Sequence, residues 1–211
     1  MTSTSPEQGV RRVAELQLRG SAGPLAARVS WPVRSPSAAP PALLVFHPGG
    51  RHSAADDPLS RGLCAHAGLV VLWPLRPLKL DDAAIAVEWA ADHAAELGAD
   101  PGRLLVGGRG AGAGLAAAVA LRARDQQWPA LSRQVLVLPE LASADDLSPG
   151  ARLAGVAPAT IVTDGGAGRA YATRLRRSGV AVEELRLGRD PSSARLAADL
   201  AAALIRSGDT A

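Results

Sequence analysis

RLLVGGRGAGAGLAAA, residues 103–118, is the stretch on which the reading of this chain turns. A short apolar run, Leu104-Leu105-Val106, meets glycines at Gly107 and Gly108, and an alanine-rich run begins near Ala111 and continues past Leu121. The pattern predicts a buried strand, a tight glycine turn and a helix. Backbone N–H groups at the start of such a helix suit an anion or an oxyanion.

Outward from that turn, strands and helices alternate. Residues 13–19 and 25–31 alternate apolar with polar and predict a hairpin that turns at 20–23. A Pro/Ser/Ala linker, 32–41, leads to the apolar run 42–46, typical of a strand buried on both faces, which ends in HPGG at 47–50. A polar loop, 51–57, precedes a helix over 58–67 and a strand over 69–73. Asp81-Asp82 opens the next helix with carboxylates at the positive end of its dipole, and that helix is expected to run through Leu97 to a stop at Gly98. Beyond the turn come strands at 134–138, 160–162 and 180–187, with helices over 170–177 and 195–206. The fold class expected is α/β: helices on both faces of a mostly parallel central sheet of about eight strands, with an antiparallel hairpin at the N-terminal side. One domain over 10–206 is expected, between short tails at 1–9 and 207–211.

Composition narrows the function classes. The 211 residues are 47% hydrophobic and 20% charged, as expected of one soluble domain with a real core. Aromatics make up 3%, so that core must be built of Leu, Val and Ala. The formal net charge is +3, Lys79 is the single lysine, and the arginines are scattered. The densest basic spots, Arg11-Arg12 and 174–177, lack flanking aromatics on which bases would stack, so no nucleic-acid partner is expected. Cys64 is the one cysteine, which excludes an internal disulfide and a cysteine-built zinc cage; it is expected buried in a helix. No apolar stretch reaches the length of a membrane span, and MTSTSPEQG lacks the basic start and apolar stretch of a signal peptide. Neither a membrane association nor a metal or cofactor is expected, and the default compartment is the cytoplasm.

Three segments together resemble the hormone-sensitive-lipase-like branch of the α/β-hydrolases, the α/β-hydrolase-3 family. Residues 108–112, Gly-Arg-Gly-Ala-Gly, resemble its nucleophile elbow, a strained strand-to-helix turn with the pattern G-x-S-x-G. HPGG at 47–50 resembles its HGGG oxyanion motif, with proline in the second place. DDAAIAVEWAADHAAELGADPGRLLVGG, 81–108, resembles the helix and strand that lead into the elbow, and LAAAVALRARD with QVLVLP resembles the helix and strand that lead away from it. The resemblance covers most of 40–206 and implies an α/β-hydrolase three-layer sandwich and kinship with esterases and lipases.

The resemblance also locates the catalytic positions, and here the chain departs from the family. Gly110 stands where the nucleophilic serine belongs and has no side chain to attack with. The acid position follows the strand at 160–162, where the loop is shortened and Asp164 is the remnant. The base position follows the last strand, where the chain reads Gly188-Arg189-Asp190-Pro191, and no histidine occurs after His93. In a serine hydrolase, loss of either nucleophile or histidine costs on the order of 10⁶ in kcat. The oxyanion hole and binding alone retain about 10³–10⁴ over water. The vestigial positions are therefore Gly110, Asp164 and Asp190.

Three functions are compatible with these residues. The first is a pseudo-hydrolase that keeps the fold and the oxyanion floor. His47, Gly49, Gly50, Arg109, Gly110 and Ala111 would then bind a small polar or anionic ligand, or the exposed surface a protein partner; the family's hormone receptors, which bind rather than hydrolyse, permit this. The second is a divergent hydrolase or lyase whose stand-ins are His52, Ser53 and Asp56, with Asp164 or Asp190 in support. The third reads Gly108-Arg109-Gly110-Ala111-Gly112-Ala113 as the G-x-G-x-x-[GA] dinucleotide fingerprint. Against the third, the ribose-binding acid expected roughly 20 residues on is replaced only by the more distant Glu140.

Overall fold

A computed structural model describes residues 9–35, 37–49, 58–76, 78–141, 152–187 and 192–208. In chain order the elements are β1 (Val10–Gly20), β2 (Gly23–Pro32), β3 (Leu43–His47), α1 (Pro58–Ala67), β4 (Val70–Pro74), α2 (Leu80–His93) and β5 (Leu104–Arg109). There follow α3 (Ala111–Gln126), β6 (Arg133–Val137), β7 (Ala159–Thr163), α4 (Gly166–Arg177), β8 (Val182–Arg186) and α5 (Ser193–Arg206). One sheet of 8 strands runs in the order β1-β2-β4-β3-β5-β6-β7-β8. The hairpin β1–β2 is antiparallel and joins β4 antiparallel, and every pairing from β4 through β8 is parallel.

Period-two alternation in the strands divides the core into two layers. On β3, Leu43 and Val45 face a cluster with Ala83, Val87, Ala116, Tyr171 and Leu175 of α2, α3 and α4. Leu44 and Phe46 face the opposite cluster, with Leu59, Leu63, Leu196 and Leu200 of α1 and α5. Both faces of the central strands are dry, which is why their sequences read as continuous apolar runs rather than alternating ones. The few aromatics sit at demanding places, Phe46 stacking on Trp73 with ring centroids 5.1 Å apart. Cys64 is buried in α1 and burial pushes its thiol up to about 12, so it is a packing residue with no thiolate chemistry near neutral pH. Among the described residues no helix is long and apolar enough to cross a membrane.

Several boundaries differ from the sequence expectation, each for a local reason. Helix α2 ends at His93 rather than Leu97, and the chain continues through tight turns (Leu97 N to His93 O, 3.0 Å; Gly98 N to Ala95 O, 2.9 Å) before Gly98 reverses it at φ 71°. Helix α4 starts at Gly166, four residues early, because Gly165 at φ 122° takes the cap position and low-propensity glycines hide the first turn in the sequence. The acids of α2 do stand in its first turn, but Asp82 does more than answer the dipole. Its Oδ1 accepts from Ser21 N at 2.8 Å and Ser21 Oγ at 2.7 Å, which ties the hairpin turn to the helix.

Candidate functional site

Strand order sets where a site can lie. From β3 the chain leaves through α1 to one face, whereas from β5 it leaves through α3 to the other, so the sheet's direction of winding reverses between these two neighbours. The crevice beyond the carboxyl ends of strands at such a switch is the usual ligand site in open α/β sheets. Here its two lips are the end of β3, His47-Pro48-Gly49, and the end of β5, Arg109-Gly110-Ala111.

Gly110 is the N-cap of α3 with φ 57° and ψ −123°, a conformation glycine adopts freely and other residues hold only under strain. The turn thus has the strained backbone expected of an elbow, with glycine at its apex. Its peptide is clamped by the segment leaving β6: Gly110 N donates to Val137 O at 2.9 Å, and Gly110 O accepts from Glu140 N at 3.0 Å. To make that return, Leu138 takes φ 47°, a left-handed conformation in a non-glycine residue. The clamp delivers the Glu140 side chain to the elbow, with Oε1 3.2 Å from where a β-carbon on Gly110 would sit. A carboxylate beside the first turn of α3 is favourably placed against the helix dipole.

The oxyanion-type loop lies tight on the same turn. A β-carbon on Gly49 would come 2.0 Å from Arg109 O, and one on Gly112 would come 2.3 Å from His47 O and 2.6 Å from Pro48 O. One on Gly114 would meet Glu140 O at 2.3 Å, and one on Gly108 would meet Gly112 O at 2.3 Å. Of the glycines in the G-x-G-x-x-[GA] pattern, Gly108 is taken up by close packing against the start of α3 and Gly110 by its φ of 57°, which accounts for both without a pyrophosphate. Ala111 and Gly112 occupy the first two positions of α3, where no intrahelical partner exists for an N–H, and neither amide has a partner among the described residues.

His47 is fully buried at the end of β3, paired in register with Gly108. Burial lowers its pKa to about 4, so the ring is neutral at pH 7. Neither ring nitrogen has a hydrogen-bond partner among the described residues. Strand alternation places Arg109 on the face of α1 and α5, opposite the side on which α3 packs. It is half-buried there and has no ion pair with a described residue. Asp164 is exposed just past β7, on the same edge of the sheet but two strands from the elbow, about 10 Å away at normal strand spacing. The structure thus brings together His47, Gly49, Gly110 and Ala111, and leaves Asp164 apart. Gly50, His52, Ser53, Asp56 and Asp190 lie outside the described residues. Among the described residues no group of His, Cys, Asp and Glu is disposed to hold a metal ion.

Glu140 is a site residue that the sequence offered only as a distant candidate for a ribose-binding acid, not as a neighbour of Gly110. Its sequence signal is slight: the acid of Pro139-Glu140, which ends the strand next to the elbow. What brings it to Gly110 is the left-handed Leu138, which no local pattern announces.

Comparison with known proteins agrees with this fold. A family profile described as alpha/beta hydrolase fold matches residues 43–152. The chain is 38% identical over 141 residues to Esterase LipI of Mycobacterium tuberculosis, a match that covers 61% of this chain and 44% of LipI. It therefore spans less than half the length of that relative. Among solved structures, an esterase from Pyrobaculum calidifontis superposes with a TM-score of 0.80 at 25% identity, over 96% of this chain and 87% of that one. The thermostable carboxylesterase EstE1, cloned from a metagenomic library, superposes with a TM-score of 0.80 at 27% identity, over 94% and 90% of the two chains.

Proposed function

For a chain that belongs to the α/β-hydrolase fold family, we propose a non-catalytic role: a pseudo-hydrolase that binds a small polar or anionic ligand, or a protein partner, at the vestigial oxyanion site. The observation that carries this reading is Gly110, which holds the elbow conformation with no nucleophile on it. The turn keeps the geometry expected of an elbow, and the glycine at its apex supplies no nucleophile. A glycine cannot form an acyl-enzyme, and the absence of histidine beyond His93 leaves the base position at 188–191 without its usual residue.

What survives is a binding surface. The Ala111 and Gly112 amides supply donors at the positive end of α3, and residues 47–49 are held against the same turn by the glycine contacts described above. Such a site retains the part of an esterase that recognises an acyl oxygen and discards the part that cleaves.

The test is direct. Full-length protein is incubated with short p-nitrophenyl esters and, in parallel, with a fluorophosphonate probe. Background turnover and an unlabelled protein are expected. Turnover at esterase rates, or a labelled residue, overturns the proposal and names the nucleophile.

A further inference from the structure

At the opposite end of the sheet, where the parallel strands begin, a cleft of about 280 Å³ opens between the hairpin, the connection into β3 and the turn after α2. Its lining includes Arg11, Trp31, Arg34 and Ser35, with apolar surface from the half-buried Trp31 and Leu97 over the fully buried Val70. The walls are tied in place. Trp31 Nε1 donates to Leu97 O at 2.8 Å, and the Arg12 guanidinium lies 5.1 Å from the Trp31 ring centroid. The connection is held at both ends, by Val33 N to Gly9 O at 2.9 Å and Asp100 N to Pro41 O at 2.8 Å.

Among the described lining residues the charge has one sign: none is a carboxylate, and Arg11 has no ion pair with a described residue. Arg34 gives one donor to Ala39 O, which leaves the rest of its guanidinium available. Two guanidinium groups beside the exposed apolar surface of Trp31 and Leu97 match an organic anion, because guanidinium donors fit phosphate and carboxylate oxygens in pairs.

We infer that this cleft binds a small phosphate monoester carried on a flat apolar body, its phosphate held by Arg11 and Arg34 and its body set against Trp31 and Leu97. The site is separate from the elbow, and its occupancy is independent of any chemistry there.

The experiment is a titration of the full chain followed by NMR, with the Trp31 indole N–H as reporter, identified by its loss in Trp31→Phe. Phenyl phosphate is the ligand, with benzyl alcohol and inorganic phosphate as controls. A saturable shift with phenyl phosphate is expected, weakened about tenfold in each of Arg11→Gln and Arg34→Gln and abolished in the double variant. Benzyl alcohol should leave the resonance in place, and inorganic phosphate should bind more weakly than phenyl phosphate. No saturable shift, binding unchanged in the two variants, or benzyl alcohol binding as well as phenyl phosphate overturns the proposal. Both arginines lie at the surface, and an unchanged spectrum elsewhere verifies that each variant is folded.

Discussion

The Glu140 carboxylate stands 3.2 Å from the point where a β-carbon on Gly110 would be, held there by the backbone bond from Glu140 N to Gly110 O. A serine at 110 would therefore find an acceptor beside it but also a backbone at φ 57° that an L-residue resists. Gly110→Ser should fold with a loss of about 1–2 kcal/mol. At about 2–4 °C per kcal/mol for a chain of this size, thermal melting will register the loss. The same variant should stay near background on p-nitrophenyl esters, because a nucleophile without its imidazole base recovers little. Esterase-level turnover by Gly110→Ser would mean that a base is already in place.

The neighbouring glycines predict larger effects from a smaller change. Gly49→Ala and Gly112→Ala put a methyl group 2.0 Å and 2.3 Å from backbone oxygens, which cannot swing away as a side chain can. Each should cost about 3 kcal/mol, at the upper end of ordinary overpacking. Gly102→Ala is the control, since its only near neighbour is Asp100 Oδ1 at 3.3 Å, and it should fall within about 0.5 kcal/mol of wild type. Urea midpoints of the three variants decide the matter. Equal midpoints would refute the tight apposition of loop and elbow.

His47 predicts a pH dependence of stability. Its pKa falls from an ordinary 6.5 to about 4 on folding, so between these values the unfolded chain binds the proton more readily than the folded one. The contribution is fully present above pH 6.5 and is lost as pH falls toward 4, at up to about 1.4 kcal/mol per pH unit. Denaturant unfolding from pH 7 to 4 should show this slope, and His47→Gln should flatten it. An unchanged slope in the variant would assign the loss to other groups.

Asp82 gives the opposite end of the same test. Hydrogen bonds from the Ser21 backbone and hydroxyl, with Arg76 nearby, hold its carboxyl below the usual range. A depressed carboxyl adds stability above its unfolded pKa that disappears as pH falls through the folded one, so this term acts in strong acid, below the His47 window. Asp82→Ala should cost about 2 kcal/mol and loosen the hairpin from α2, because Ser21 loses the acceptor of both bonds. Hydrogen exchange confined to the β1–β2 turn would register the loosening, and unaltered protection there would count against the tie.

Much of the architecture was legible because it rests on local chemistry. The apolar runs at 42–46 and 104–106 read as buried strands and form β3 (Leu43–His47) and β5 (Leu104–Arg109), and the helix Pro58–Ala67 ended at the expected glycine boundary. The elbow was legible as well, since glycine adopts φ 57° without strain and fits where another backbone lies in contact. Helix starts concealed by glycines, as at Gly166, were not, because propensity there argues against the structure that tertiary packing imposes.

By itself the sequence determined the order of elements, the parallel sheet they must build and the fact that position 110 carries no nucleophile. These come from periodicity, turn chemistry and residue identity, all properties of neighbours in the chain. Only the tertiary structure decided that Glu140 reaches Gly110, that Asp82 holds Ser21, that Arg109 lies on the face away from α3 and that Asp164 stands two strands from the elbow. Those relations join residues far apart in sequence through strand order and the hand of a single residue, Leu138, and no local pattern encodes a distance between strands.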